Sequence, residues 1–329
     1  MLNYKIKIGL IPDVRDLGDF ATRKGIFEPA KGVERKNEVV EYIKNNFTDE
    51  LTEFTDLEWL NDLGVLYKNT DCERVCEYLK KEKVDAIFII NCNFGNEEAC
   101  GRVAKEMGLP VLLWGPQDTV FEPDGMRYTD SQCGLFAISK QLRRYHVPFT
   151  YIENCTVESG IFKTGLEKFL SVVTMVKNFK KLNVAQVGTR LTPFKSVMYS
   201  ELELTEKFGI NMNNVNMAQF EDKYNKLIAS KSSELVGDVD ELKKKYDVAG
   251  LDDETLKKML TFVYTYKEII DETGADVLAS ECWTAMPLAV GANPCLAMSI
   301  LYDMGYIVAC ESDVHGAITC ALLSCASRG

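Results

Sequence analysis

Asp276-Val277-Leu278-Ala279-Ser280-Glu281-Cys282-Trp283 and, further along, Tyr306-Ile307-Val308-Ala309-Cys310-Glu311-Ser312-Asp313-Val314-His315-Gly316 share one pattern: a short apolar strand that ends by releasing a glutamate. A strand apolar on both faces is covered on both faces, the condition of a parallel sheet sandwiched between helices. Parallel neighbours need a crossover, and the segment from Gly291 to Met304, interrupted near its start by Pro294, supplies one. If the two strands are neighbours, Glu281 and Glu311 emerge together at the carboxyl edge of the sheet, where open α/β sheets bind their ligands.

The same alternation runs through the chain. Short apolar runs at Ile6 to Leu10, Ala86 to Ile90, Val111 to Trp114, Phe149 to Ile152 and Val184 to Val187 read as strands, and longer segments of helical period lie between them. Cys72 to Lys81 sets Val75, Cys76 and Leu79 against a charged face; Ser131 to Tyr145 opens on a capping serine and aligns Leu135, Ile138 and Leu142. The fold class is α/β, with open, mostly parallel, Rossmann-like sheets. At 329 residues, 46% of them hydrophobic, the chain exceeds what one core holds. The long amphipathic stretch Val157 to Phe179 precedes a fresh strand, which places a boundary near residue 180 and gives domains 1-180 and 181-329. The lysine-rich acidic tract from Ser232 to Leu256 reads as exposed helices.

A formal charge of -11 opposes binding to a polyphosphate, so nucleic acid is not an expected partner. No run of about 18 apolar residues is available to span a membrane, and Met1 to Lys7 lacks the apolar stretch of a signal peptide. The eleven cysteines form an odd set with no Cys-x-x-Cys pair, which fits reduced thiols in a cytoplasmic protein. Cys310, Cys320 and Cys325 lie among small apolar residues and read as small hydrophobes.

The sequence contains neither a dinucleotide fingerprint nor a phosphate loop. Its two histidines, His146 and His315, are far apart, and His146 sits where a helix should end. Glu311 and Asp313, two apart, would point the same way if the extended strand continued. Asp313 has a second reading as the N-cap of the helix from Gly316 to Ser327. Carboxylates without thiolates or paired imidazoles favour a hard cation such as Mn²⁺ or Mg²⁺. Trp283 would either wall a sugar beside Glu281 or fill the core.

The stretch Val308-Ala309-Cys310-Glu311-Ser312-Asp313-Val314-His315-Gly316-Ala317-Ile318-Thr319 resembles the segment of the L-fucose isomerase and L-arabinose isomerase family in which a strand ends in Glu-x-Asp before a small-residue helix. Leu113-Trp114-Gly115-Pro116-Gln117-Asp118 with Asp130-Ser131-Gln132-Cys133-Gly134 is similar to the family's N-terminal domain. Val187-Gly188-Thr189-Arg190, with Pro193-Phe194 and Ser196-Val197-Met198-Tyr199, is similar to the start of its second. The resemblance implies a metal-dependent aldose-ketose isomerase working through an ene-diol on a sugar, with Mn²⁺ held partly by Glu311, which also transfers protons. Glu281 falls at a second acidic ligand of the arabinose isomerases, where the fucose isomerases have glutamine. Gln132 lies near a position bordering a neighbouring subunit's site, which implies a homo-oligomer. No ligand role follows for Asp313 or His315. The family continues into a third, mostly β domain that brings the remaining metal ligands, and this sequence ends where that domain is expected. The rival expectations are a non-catalytic sugar-binding or regulatory module and a structural subunit of a larger assembly.

Overall fold

The computed structural model describes residues 2–15, 26–118, 125, 127–231 and 234–329. The chain forms two compact units, one of residues 4–176 and one of residues 177–329 joined by the first residues of the chain.

In the first unit the order is β1 (Ile6–Asp13), α1 (Pro29–Phe47), β2 (Thr52–Thr55), α2 (Cys72–Lys81), β3 (Ala86–Asn91), α3 (Glu97–Met107), β4 (Val111–Trp114), α4 (Ser131–Arg144), β5 (Thr150–Tyr151) and α5 (Gly160–Phe179), which runs across the division. The strands pair in parallel in the order β2-β1-β3-β4-β5. Successive strand residues feed opposite cores. Ala86, Phe88 and Ile90 pack on one face, with α1 and α5, while Ile87 and Ile89 pack on the other, with α2, α3 and α4. Every residue of β3 is buried, as a central parallel strand requires.

The second unit continues with β6 (Asn183–Val187), α6 (Glu201–Phe208), β7 (Asn211–Val215), α7 (Met217–Ser230), α8 (Glu234–Lys245), α9 (Asp253–Thr273), β8 (Val277–Ser280), α10 (Ala285–Val290), α11 (Cys295–Asp303), β9 (Ile307–Ala309) and α12 (Val314–Ser327). Its strands are parallel in the order β7-β6-β8-β9. Leu278 packs with α9 and α11 on one face; Val277 and Ala279 pack with α12 on the other. The α/β class with two parallel sheets is thus as read, and β8 and β9 are neighbours, Ala279 opposite Ala309.

Several local readings change. The cap of α4 is Asp130, whose side chain accepts the Cys133 N–H, and Ser131 is the first helical residue. The single crossover helix expected between β8 and β9 is two, α10 and α11, with Pro294 at the N-cap of the second. The acidic tract forms α8 and the start of α9, but α8 also buries Leu235, Val239 and Leu242. His146 does follow the end of α4, at φ 56°, its N–H bonded to the Arg143 carbonyl. Of the three cysteines read as small hydrophobes, Cys325 is buried, Cys320 half-buried and Cys310 exposed. Among the described residues, no helix is long and apolar enough to cross a membrane.

Candidate active site at the carboxyl edge of the second sheet

Three strand ends meet here. β8 delivers Glu281 and Cys282, β9 delivers Glu311 and Ser312, and β6 delivers Gly188 and Thr189. Because Ala279 and Ala309 are register partners, the two glutamates lie at matching distances beyond the last paired residues.

Glu281 is held on both sides. Its own N–H donates to the Val187 carbonyl at 2.8 Å, and its Oε2 accepts the Thr189 N–H at 3.0 Å. Gly188 makes that second bond possible. It sits at φ +71°, and a Cβ there would stand 2.5 Å from Glu281 Oε2 and 2.8 Å from Glu281 Cβ. A side chain would therefore meet both a strained backbone and the carboxylate. Glu281 is buried, yet it forms no ion pair with the described residues.

Glu311 is presented differently. The chain turns out of β9 through two consecutive residues of left-handed backbone, Glu311 at φ 62° and Ser312 at φ 53°, a conformation non-glycine residues adopt at a cost of order 1 kcal/mol or more each. The turn is bolted by Ser312, fully buried, whose N–H donates to the Ser280 carbonyl at 3.0 Å and whose hydroxyl donates to the Val187 carbonyl at 3.2 Å. One serine thus ties the exits of β9, β8 and β6 together. The half-buried Glu311 side chain takes no hydrogen bond or ion pair from the described residues.

This turn overturns one expectation. Glu311 and Asp313 do not continue an extended strand on one side, because the left-handed pair rotates the chain between them. Asp313 instead caps α12, accepting the Gly316 N–H at 2.8 Å. His315 is exposed on the first turn of α12, its ring edge-on to Tyr199 at 6.3 Å. Trp283 is 57% exposed and stacks on Phe194 at 5.6 Å and 19°, so the core reading fails for it. Gln132 is half-buried on the first turn of α4, in the first unit.

Burial holds the Cys282 thiol above its ordinary value, and the Glu311 backbone N–H, which favours the thiolate, only partly offsets this. Partial desolvation likewise raises the exposed Cys310, with the Glu311 charge adding to it. Neither sulfur is activated as a nucleophile.

The oxygen donors at this edge suit a hard divalent cation in kind but not in number. Such a cation takes six or more ligands, of which proteins commonly supply several. Among the described residues no three His, Cys, Asp or Glu side chains gather where they could hold a metal ion. Glu281 and Glu311 are at most half of a site.

Sequence reading did not assign roles to Thr189, Ser312 or Phe194. The first two act through backbone N–H groups or a buried hydroxyl, which carry no residue-type signature; a glycine directly after β6 was the one available signal.

Comparison with known proteins bears out the resemblance. Residues 18–180 match the family described as fucose/sulfoquinovose isomerase, N-terminal domain. The sulfoquinovose isomerase of Priestia aryabhattai is 25% identical over 247 residues, 74% of this chain and 54% of that protein. Those of Alkalicoccus urumqiensis, at 25% over 245 residues, and Clostridium sp. (strain MSTE9), at 24% over 255, also cover 54% of the relative. The chain spans about half the length of the curated relatives it matches. A solute-binding protein from Bacillus halodurans with bound myo-inositol overlaps at 13% identity and a TM-score of 0.22, covering 98% of this chain and 89% of that one, a likeness too slight to carry any argument.

Proposed function

We propose that this chain carries the two-glutamate half of an aldose-ketose isomerase site acting on a sugar. One observation supports this above the others: adjacent parallel strands both release a glutamate, Glu281 and Glu311, at the same carboxyl edge of the sheet, one carboxylate pinned by a backbone N–H and the other free of any bond from the described residues. The names of the relatives that align over three quarters of the chain supply the reaction class.

Isomerisation removes a proton from the carbon beside a carbonyl and returns it to the carbonyl carbon, by way of an ene-diol. It needs one mobile base and a fixed electrostatic environment. Glu311 suits the first role, since nothing in the described chain competes for its lone pairs. Glu281 suits the second: Thr189 N–H and Gly188 set its position to within a hydrogen bond. Ser312 keeps the Glu311 turn from relaxing. The face of Trp283, stabilised by Phe194, offers an apolar surface on which the C–H side of a sugar ring would rest.

Both glutamates are proposed as ligands of a divalent cation, Mn²⁺ by resemblance, the remaining donors coming from outside the described residues. When bound, such a cation polarises the carbonyl and offsets developing negative charge. Gln132 is assigned by resemblance alone to the border of a neighbouring subunit's site, and a homo-oligomer is proposed on the same ground. The eleven free cysteines support a reducing compartment, the cytoplasm.

Incubation of the chain, in an assembly that supplies the remaining donors, with sulfoquinovose or L-fucose in D₂O with Mn²⁺, read by NMR at carbon 2 of the sugar, tests the reading at its first step. Deuterium should enter with wild type and not with E311Q. Sugar binding without exchange in wild type would favour the non-catalytic binding module instead.

A further inference from the structure

Asp13 and Asn91 are register partners on β1 and β3, at the carboxyl end of the first sheet. The order β2-β1-β3-β4-β5 reverses direction between these two strands, so they sit at the sheet's topological switch point. Both side chains are fully buried.

Each has half of its polar head committed. Asp13 Oδ2 accepts the Asn96 N–H at 2.6 Å, and Asn91 Nδ2 donates to the Phe94 carbonyl at 3.0 Å. The other halves, Asp13 Oδ1 and Asn91 Oδ1, have no hydrogen-bond partner among the described residues. Flipping the amide gives no escape, because it would set Oδ1 against the Phe94 carbonyl. Glycines wall the pair in: a Cβ at Gly95 would overlap Asp13 Oδ2, and one at Gly134 would overlap Asn91 Nδ2 and the Phe94 carbonyl.

Two buried acceptor atoms with no hydrogen-bond partner among the described residues lose hydration with nothing in return, and a charged one loses more. A proton on Asp13 would make it a donor, and the unpaired acceptor on its register partner is Asn91 Oδ1. We infer that Asp13 is a neutral carboxylic acid donating to Asn91 Oδ1 in the folded protein, and that losing this proton loosens the first unit where β1 is clamped to α3.

The surroundings agree. Burial pushes Asp13 up to about 7; the Asn96 N–H, the Cys100 thiol and Arg15 pull the other way, and Glu97 adds to the rise. Arg15 is turned to Glu97, at 2.5 Å, and lies over the Phe94 ring, so it does not pair directly with Asp13. The other titratable neighbours are Cys92, beyond β3, and Cys100, on α3; burial raises both thiols, the Asp13 charge adds to each rise, and the Asp13 backbone partly offsets it at Cys92. The clamp itself is the bond from Asn96, the residue whose side chain caps α3 by accepting the Ala99 N–H.

The sign follows from linkage. The folded protein holds the Asp13 proton up to about 7, whereas the unfolded chain releases it near 3.8. The stabilisation is full below the unfolded value and is lost as pH rises through the folded one.

Asp13→Asn is the informative variant, because an amide there can accept from Asn96 and donate to Asn91 without a titrating proton. Between about pH 5.5 and about pH 8.5 the wild-type melting temperature should fall by at least about 4 °C more than that of D13N. Infrared spectra of wild type should show a protonated carboxylic acid band that disappears across the same range and is missing from D13N. The wild-type band decides the matter even if D13N does not fold. A band absent at the acidic end, or one that titrates near the ordinary aspartate range, would overturn the inference, as would parallel pH dependence of the two melting temperatures.

Discussion

Glu281 and Asp13 occupy equivalent places in the two units, each at the carboxyl end of a parallel strand, each accepting a backbone N–H from a loop and each pressed against a glycine of positive φ. What differs is the company. Glu281 stands at an edge to which the neighbouring strand also brings a carboxylate, Glu311, and the exposed Trp283 lies two residues further on. Asp13 is sealed, its nearest strand partner an amide rather than an acid. On the proposals made above, the same backbone device serves two ends: at one edge it holds a carboxylate for a ligand, and at the other it stores a proton. Burial and the neighbouring side chain, more than strand position, decide which.

The largest expected effect that sharpens this contrast is on turnover. In an assembly that isomerises the sugar, E311Q should lower the rate by about 10²-fold or more, as loss of a positioned acid-base group does, while D13N assayed at the acidic end of the range should stay within about threefold of wild type. Equal losses would erase the distinction between the two carboxylates. Next come the glycines. G188A and G95A each place a methyl group on a left-handed backbone against a carboxylate, and each should cost about 1 to 3 kcal/mol in denaturant unfolding. G188A should in addition weaken Mn²⁺ binding, which G95A should leave alone. Removing the Asp313 cap with D313A should cost about 1 kcal/mol of stability with no change in the cation affinity, separating capping from ligation. The smallest effect is expected from T189A, within about 0.5 kcal/mol, because the bond to Glu281 comes from the main chain and survives the change. A large loss there would mean that the threonine hydroxyl, rather than the backbone, positions the acid.

Much of the fold was legible because the central strands of a doubly covered sheet are nearly all apolar. The residues Val111–Trp114 and Cys72–Lys81 form the strand and helix that their patterns indicate. The strands that escaped notice are the edges: Thr52–Thr55 and Asn211–Val215 pair on one side only and carry polar residues, so neither alternation nor an apolar run marks them. At the site, the strand-then-glutamate pattern located Glu281 and Glu311, but it could not report the two left-handed residues that turn Asp313 away into its helix cap. Ser312 and Thr189 were invisible for a related reason, since a buried hydroxyl between strand carbonyls and a main-chain donor look like nothing in a sequence. The Asp13 and Asn91 pair arises from residues far apart in the chain and needed the register of β1 against β3 to be seen at all.

Mn²⁺ titration of wild type, E281Q, E311Q and the double variant, followed by electron paramagnetic resonance, tests most directly whether the two glutamates work as one unit. If they share a cation, each single change should weaken binding and the double change should add little to the worse of the two, a coupling of roughly 1 kcal/mol or more. Affinity unchanged by either substitution, or losses that simply add, would show the two carboxylates acting apart.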